Sequence, residues 1–409
     1  MESLDVSDVR PVIEASESVV LFANPVSGSK EAKLYLDTKA RSLSLVTSRG
    51  LVDLHIFDLS NSKARKEGVV FLESLVEHHK EVRVIVAGGD GSLIWAIEEI
   101  SKASLDLSQI KFGTMPFGTG NDLAAMLGWG RKPELPIVGK NNEGLIRSVE
   151  SWLAAQEVNF DLWNIQIEVE ENGYFEKIHK EEKKFRREKL TDRSGNKRTA
   201  YHRLMTNYFS IGLDARIGLG FDKSRSRYRW CNKFIYCWEG LKKICCLPLF
   251  RLTEYAASFY ENDNYCIFDN TMPEKSLPPS TSIFIALNAR TYAGRFNIWD
   301  KAQPLREEEV TLKEASPCDG QLEFLTFQGG FSLGLEAIPS KQGRGKKVFQ
   351  GSGPFTLHFA PQADDRRVYM QIDGEYFYAV RPKCVHISLA DVSSSQKLRV
   401  LVNEGHTLF

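Results

Sequence analysis

Three short stretches of this chain carry residues suited to holding an anionic ligand. The most informative runs Val86-Ala87-Gly88-Gly89-Asp90-Gly91-Ser92-Leu93. Val82, Val84, Ile85, Val86 and Ala87 form an apolar, largely β-branched run that reads as a buried strand. Leu93, Ile94, Ile97 and Ile100 then recur at helical spacing. A strand, a glycine turn and a helix offer a nest of backbone N–H groups at a helix N-terminus. Those donors, with the helix dipole, favour polyphosphate. Taken singly, a Gly-Gly-Asp-Gly string fits a plain tight turn equally well.

Two more turns share its grammar. Val19-Val20-Leu21-Phe22 runs into Asn24-Pro25-Val26-Ser27-Gly28-Ser29-Lys30. Ile110-Lys111-Phe112-Gly113 leads through Met115-Pro116 into Phe117-Gly118-Thr119-Gly120-Asn121-Asp122 and the apolar Leu123 to Leu127. No Gly-x-x-x-x-Gly-Lys-[Ser/Thr] occurs, and Gly-x-Gly-x-x-Gly is absent after the first strand, so neither the Walker loop nor the dinucleotide fingerprint applies.

The elements that must position these loops follow from their pattern. Three strand–turn–helix units imply a parallel sheet with helices on its faces. In such open sheets the loops at the carboxyl ends of the strands gather in one crevice. An N-terminal open parallel α/β domain is therefore expected over residues 1–155. Near Trp152 to Asp161 the character changes to strand-like alternation, as in Ser282 to Leu287, Leu322 to Leu325, Phe355 to Phe359 and Val368 to Ile372. That predicts a mainly antiparallel β domain over 156–390. One helix is expected between Tyr228 and Cys246, with Trp230, Phe234, Trp238, Leu241 and Cys245 on one face. Lys180 to Arg203 carries ten basic residues against four acidic ones, a balance of +6, and Lys341 to Gly353 is rich in Gly and Lys. Both read as solvated loops; the first could also touch an anionic membrane.

At 409 residues and 42% hydrophobic, with 24 phenylalanines, the chain is long enough for two cores. A formal net charge of +0 gives no global field for nucleic acid, so none is expected as a partner. The seven cysteines are odd in number, irregular and without a Cys-x-x-Cys pair, which suits reduced thiols better than disulfides or a zinc site. No apolar run is long enough to span a bilayer, and Met1 to Arg10 is unlike a signal peptide. A cytoplasmic protein is expected.

Together the motifs resemble the diacylglycerol kinase family, closer to its eukaryotic than its bacterial branch. The resemblance rests on Asn24-Pro25-x-Ser27-Gly28, Phe57-Asp58-Leu59-Ser60, Gly88-Gly89-Asp90-Gly91-Ser92 with Trp95, and Pro116-x-Gly118-Thr119-Gly120-Asn121-Asp122-Leu123-Ala124. It continues through Phe209 to Ala215, Asn232-Lys233-x-x-Tyr236, Tyr292-Ala293-Gly294, Asn297-Ile298-Trp299, Asp319-Gly320 and Gln371-Ile372-Asp373-Gly374-Glu375. It implies an ATP-binding α/β domain, related to phosphofructokinase-like and NAD kinases, and a β-sandwich accessory domain. ATP and lipid would meet in the cleft between them, and residues 391–409 would pack back on the first domain. Gly88, Gly89, Asp90, Gly91 and Ser92 would cradle the ATP phosphates. Asn24 and Gly118, Thr119, Gly120 and Asn121 would flank the nucleotide, with Ser60 near its edge. Asp373 corresponds to the general base and Glu375 to a metal-linked carboxylate, with Asp90 also facing Mg²⁺ and Asp122 extending the charge network.

The implied reaction makes phosphatidic acid from diacylglycerol and MgATP, with transient contact to an anionic membrane. A primary alcohol is a weak nucleophile, so a placed carboxylate must take its proton as the new bond forms. In an extended segment, residues 373 and 375 would point to one face, where a cation would be needed between them. The bland reading of Asp-Gly-Glu is a hairpin turn. The chain departs from the family at Ser92, where most relatives have Thr, and at Ala125, where many have Arg; Arg131 or Lys132 could replace that arginine. Zinc modules that precede the kinase domain in many animal relatives are absent from this sequence, so recruitment would need another element, such as Lys242-Lys243-Ile244-Cys245-Cys246-Leu247-Pro248-Leu249-Phe250. Asp319 could help hold a structural Mg²⁺. The first domain alone is equally compatible with a sphingosine or ceramide kinase, and an inactive nucleotide- or lipid-binding scaffold is the rival outside enzymes.

Overall fold

The computed structural model describes residues 17–408 except 29, 39, 79–80, 104, 106, 119–120, 180–181, 189, 191–199, 227–228, 246–248, 293–295, 307–311, 330–331, 334–342, 362–364 and 392–396. The chain divides into two compact units, one of residues up to Val158 plus Arg399–Thr407, the other Asn159–Leu398 with the last two residues.

The first unit contains β1 (Glu17–Ala23), α1 (Lys33–Leu36), β2 (Ser42–Thr47), β3 (Gly50–Asp58), α2 (Ser62–His78), β4 (Val82–Gly88), α3 (Asp90–Lys102), β5 (Ile110–Pro116), α4 (Asp122–Met126), α5 (Glu143–Ala154) and β6 (Gln156–Phe160). Its seven-stranded sheet runs β2-β3-β1-β4-β5, then a returning strand, Leu398–Val402, then β6. β3, β1, β4 and β5 are parallel, while β2 closes the edge as an antiparallel hairpin partner of β3. β4 and β5 are mostly apolar, as strands of a parallel sheet covered by helices on both faces are; every residue of β5 is buried. The returning strand pairs parallel with β5 at Val400 and Phe112. Lys111, buried in β5, pairs with Glu81 and Glu157, and Arg399 pairs with the same two carboxylates. This four-charge cluster fixes the returning strand at the amino end of the sheet. The sheet order reverses between β1 and β4, since the chain passes to β3 on one side of β1 and to β4 on the other. Ligands of open α/β sheets bind at such a reversal, beyond the carboxyl ends of the strands.

The second unit contains β7 (Trp163–His179), β8 (Lys184–Arg187), β9 (Ala200–Met205), β10 (Tyr208–Gly212), α6 (Leu213–Ser224), α7 (Arg229–Cys245), β11 (Ala256–Glu261), β12 (Tyr265–Asp269), β13 (Thr281–Leu287), β14 (Thr291–Tyr292), β15 (Phe296–Asn297), α8 (Ile298–Lys301), β16 (Gln303–Pro304), β17 (Leu322–Gln328), β18 (Lys346–Gly351), β19 (Phe355–Phe359), β20 (Arg367–Ile372) and β21 (Glu375–Leu389). Thirteen strands share one hydrogen-bonded network, in the order β12-β11-β19-β21-β20-β10-β13-β17-β18-β16, with β7 on β21 and β8 and β9 on β7. The expected sandwich is thus a continuous antiparallel-rich sheet, joined through β7 and β21, which pair from Lys177 and Phe377 to Trp163 and Leu389. Its core centres on Phe259, Phe284, Phe324 and Phe355, whose contacting rings lie 4.6 to 5.8 Å apart between centroids.

The structure corrects the reading of both charged segments and of Phe250. Lys180 to Arg203 is not simply a loop, because Lys184–Arg187 and Ala200–Met205 are strands on β7. Lys341 to Gly353 likewise supplies β18 from Lys346 onward. The expected helix forms over Arg229–Cys245, and on its apolar face Phe234, Trp238 and Leu241 are exposed. Phe250, grouped with the basic pair Lys242-Lys243 as a membrane element, is instead core and stacks on Tyr255. Residues 246–248 lie outside the described residues, and the side chains of Cys245 and Cys246 are not described either.

Candidate functional site

In the first unit the strand ends are level. Ala23 stands opposite both Asp58 and Ala87, and Gly88 stands opposite Pro116. The loops leaving them therefore start side by side and bond to one another. Asn24 N donates to Ala87 O and its Nδ2 to Ser92 Oγ, at 2.9 Å each. Phe117 N and Gly118 N both donate to Gly88 O. Asp90, at the start of α3, accepts from Asp122 N (2.8 Å) and Leu123 N (3.1 Å) on one carboxylate oxygen, so it caps α4. One oxygen of the residue expected to face Mg²⁺ is thus committed to holding the loops together.

Close backbone approach explains the glycines. A Cβ on Gly118 would sit 2.4 Å from Gly89 Cα, and one on Gly28 would sit 2.0 Å from Phe117 O. A Cβ on Gly89 would meet Gly118 Cα at 3.0 Å. The constraint on Gly89 is therefore loop against loop, rather than phosphate approach alone. Asn121 takes the left-handed conformation (φ 56°) and donates from Nδ2 to Gly118 O and Arg131 O. Its buried Oδ1 has no hydrogen-bond donor among the described residues. A bound nucleotide could supply one, and the buried acceptor and the glycine-lined approach both suit such a ligand. Gly91 lies in the first turn of α3, and Thr119 and Gly120 lie outside the described residues. Ser60 N and Oγ both donate to Asp58 Oδ1, which caps the turn leaving β3 at the same edge of the sheet. Of the two basic residues weighed for the missing arginine, Arg131 is the one beside Asp122, with Nη1 at 3.3 Å from Oδ1.

In the second unit Asp373 and Glu375 do not lie along an extended segment. Asp373 (φ 48°) and Gly374 (φ 80°) form the two-residue turn between β20 and β21, the primed geometry favoured in tight hairpins. The Asp373 carboxylate points inward. Oδ2 accepts from Thr206 N (2.7 Å) and Thr206 Oγ1 (3.1 Å), and Oδ1 from Asn207 N (2.8 Å) and Tyr208 N (2.9 Å). Burial pushes this carboxyl up to about 6, against the pull of all four donors. Glu375 is nearly half exposed and pairs with Arg203 at 2.7 Å.

Beneath this hairpin lies a buried polar network. Asp214 Oδ2 accepts from Ser210 Oγ, from Tyr292 OH (2.5 Å) and from Gln371 Nε2 (2.7 Å), and Gln371 Nε2 also reaches Tyr292 OH at 2.7 Å. Burial and the Asp214 charge hold Tyr292 far above an ordinary phenol, so its hydroxyl stays protonated and donates. Three separated sequence motifs thus meet at one point, two residues before Asp373. The sequence reading missed Arg203, Thr206 and Asn207. Arg203 had been counted only as part of a basic run, and no local signal links residues so far apart in the chain. Asp319 Oδ1 accepts from Gln321 N in its own turn.

The chain matches two family models, the diacylglycerol kinase catalytic domain over residues 18–150 and the diacylglycerol kinase accessory domain over residues 204–376. It is 26% identical to diacylglycerol kinase 4 of Arabidopsis thaliana over 389 residues, covering 87% of this chain and 76% of that protein. It is 29% identical to probable diacylglycerol kinase 3 of Caenorhabditis elegans over 93% of this chain and 42% of that one. With diacylglycerol kinase 1 of Oryza sativa subsp. japonica the identity is 24%, over 94% and 79%. The two models fall on the two units just described, the loop cluster within one match and the Asp214 network and Asp373 hairpin within the other. The chain belongs to the diacylglycerol kinase family.

Proposed function

We propose that the protein transfers the γ-phosphoryl group of MgATP to the primary hydroxyl of a 1,2-diacylglycerol, giving phosphatidic acid. The loop cluster carries this reading. Glycine loops locked by Asp90, the start of α3 and a buried acceptor on Asn121 together suit a polyphosphate with a nucleoside attached. Backbone N–H groups at the start of α3 would bind and orient the phosphates, and Ser92, tied to Asn24, would hold the loop in place. Asp90 would hold Mg²⁺ beside the loops of the first unit, since carboxylate oxygens match a hard cation. Bound there, the ion would neutralise charge on the β- and γ-phosphates.

Asp373 would accept the proton of the attacking hydroxyl. Of its four donors, three are fixed backbone amides; the Thr206 hydroxyl is the longest contact and the only one on a rotatable bond. The lone pair it occupies is the one a lipid hydroxyl would take. The four bonds also favour a second reading, in which Asp373 only holds the hairpin and the more accessible Glu375 receives the proton. Labelled ATP with Mg²⁺ and diacylglycerol in mixed micelles tests the proposal. Label in phosphatidic acid is expected, and none, with ATP bound, would overturn it.

Peripheral membrane contact fits α7. Phe234, Trp238 and Leu241 stand at i, i+4 and i+7 on one exposed face, beside the half-exposed Lys242. Amphipathic helices of this kind lie in the interface of anionic bilayers. No helix among the described residues is long and apolar enough to cross a membrane. Trp238→Ala with Lys242→Glu should lower binding to phosphatidylserine vesicles, and unchanged flotation would remove α7 from the contact.

A further inference from the structure

β7 and β21 bring a second chemistry together on the same sheet, away from the hairpin turn. Cys384 and Glu168 are direct cross-strand partners, and His386 lies two residues along β21, on the same face as Cys384. Cys384 Sγ is 3.2 Å from His386 Nε2 and 3.6 Å from Glu168 Oε2, and His386 Nε2 is 4.0 Å from Glu168 Oε1. These three side chains are the single three-donor group of metal-ligand type among the described residues. With metal–ligand bonds of about 2.0–2.3 Å, tetrahedral zinc places its donors about 3.3–3.7 Å apart. The two edges at Cys384, 3.2 and 3.6 Å, are close to that before any ion enters, and the edge between His386 and Glu168, 4.0 Å at its nearest oxygen, must shorten as the ion binds.

The surroundings prepare the donors. Thr356 Oγ1 donates its one proton to Asp263 Oδ1 (2.9 Å), so toward His386 Nδ1 (3.2 Å) it can only accept. His386 must then carry its proton on Nδ1, which leaves the Nε2 lone pair facing Cys384. A hydrogen-bonded far nitrogen is the usual support of a metal-bound histidine. Gln166 Nε2 holds Glu168 Oε1 at 2.8 Å, which leaves Oε2 toward the thiol. Cys384 is buried, while Glu168 and His386 are partly exposed and give an entry path. The competing cation is Lys383, 3.9 Å from Glu168 Oε2 and well exposed, so it can swing into solvent.

We propose that Cys384, His386 and Glu168 form a zinc site with one open position, separate from the magnesium of phosphoryl transfer and independent of that reaction. Thiolate and imidazole select a borderline-soft ion over Mg²⁺, which takes oxygen donors. Binding releases one proton, from the Cys384 thiol to solvent, as the sulfur–metal bond forms. A site made from residues so far apart in the chain is invisible to any search for paired cysteines.

The test uses the full chain, stripped with chelator and titrated with Co²⁺ and then Zn²⁺. One equivalent of Co²⁺ should produce a thiolate-to-cobalt charge-transfer band that Zn²⁺ displaces, and the thermal midpoint should rise with free Zn²⁺. Cys384→Ser and His386→Asn should abolish the band. Thr356→Val, which keeps all three ligands, should weaken zinc affinity about 10–100-fold. No band in the native chain overturns the proposal. So does a band that survives in Cys384→Ser, because the metal would then sit on other thiols. If the ligand variants misfold by circular dichroism, Thr356→Val decides, and unchanged affinity there also overturns the proposal.

Discussion

The loop cluster of the first unit and the hairpin of the second hold their charged groups in opposite ways. In the first, a carboxylate holds backbone: glycines allow loop-to-loop contact and Asp90 locks two loops with a single oxygen. In the second, one carboxylate is itself held from elsewhere in the chain, as three backbone amides of residues 206–208 and the Thr206 hydroxyl converge on Asp373. The first arrangement leaves amide donors to face a ligand, which suits binding. The second fixes a carboxylate to within hydrogen-bond tolerance, which suits placing a proton acceptor. Ground-state binding and chemistry should therefore separate between the two units when each is perturbed.

Asp373→Asn should separate them most. Turnover falls about 10²–10⁴-fold while ATP affinity stays within a few-fold. An amide cannot accept from all four donors, so stability also drops by about 1–3 kcal/mol, and the rate must be measured below the new midpoint. Full turnover in the folded variant, with Glu375→Gln inactive, would move the base to Glu375. Gly118→Ala should do the reverse. Its Cβ must push Gly89 away, costing about 1–3 kcal/mol, and isothermal titration should show ATP affinity reduced at least ten-fold; native affinity would mean the loops are not the nucleotide site.

Tyr292→Phe removes one donor to Asp214 and one acceptor for Gln371, and denaturant unfolding should show about 1–3 kcal/mol lost. Nucleotide affinity should not move. The smallest effect is on the pH profile. A base that burial raises to about 6 is active only when ionised, so kcat/KM should fall as pH drops through about 6. Between about 4, the ordinary carboxylate value, and about 6, the folded state binds the extra proton. This group's contribution to stability therefore declines as pH rises through that window and is constant above it. An acid limb near about 4, the ordinary carboxylate value, would contradict a buried Asp373 as the base.

The same contrast explains what could be read from the chain. The α/β half was legible because its signals are local: continuous apolar strands, glycines at strand ends, and apolar residues at helical spacing in α3. The convergence of loops follows from sheet topology, and the register of β1, β3, β4 and β5 places them level. The hairpin was legible as a motif but not as a geometry, since Asp-Gly reads as turn or extended segment until Thr206, Asn207 and Tyr208 are seen to bind it. The helix over Arg229–Cys245 shows the same limit, because periodicity reveals a face without telling what covers it. The exposed Trp238 and Leu241 are a fact of packing alone.

The most direct test of the account is transfer of label from γ-labelled ATP with Mg²⁺ in mixed micelles, with diacylglycerol, ceramide and sphingosine offered in parallel. The account predicts label in phosphatidic acid and background in the other two. Label chiefly in a sphingoid product, with diacylglycerol left unphosphorylated, would contradict it.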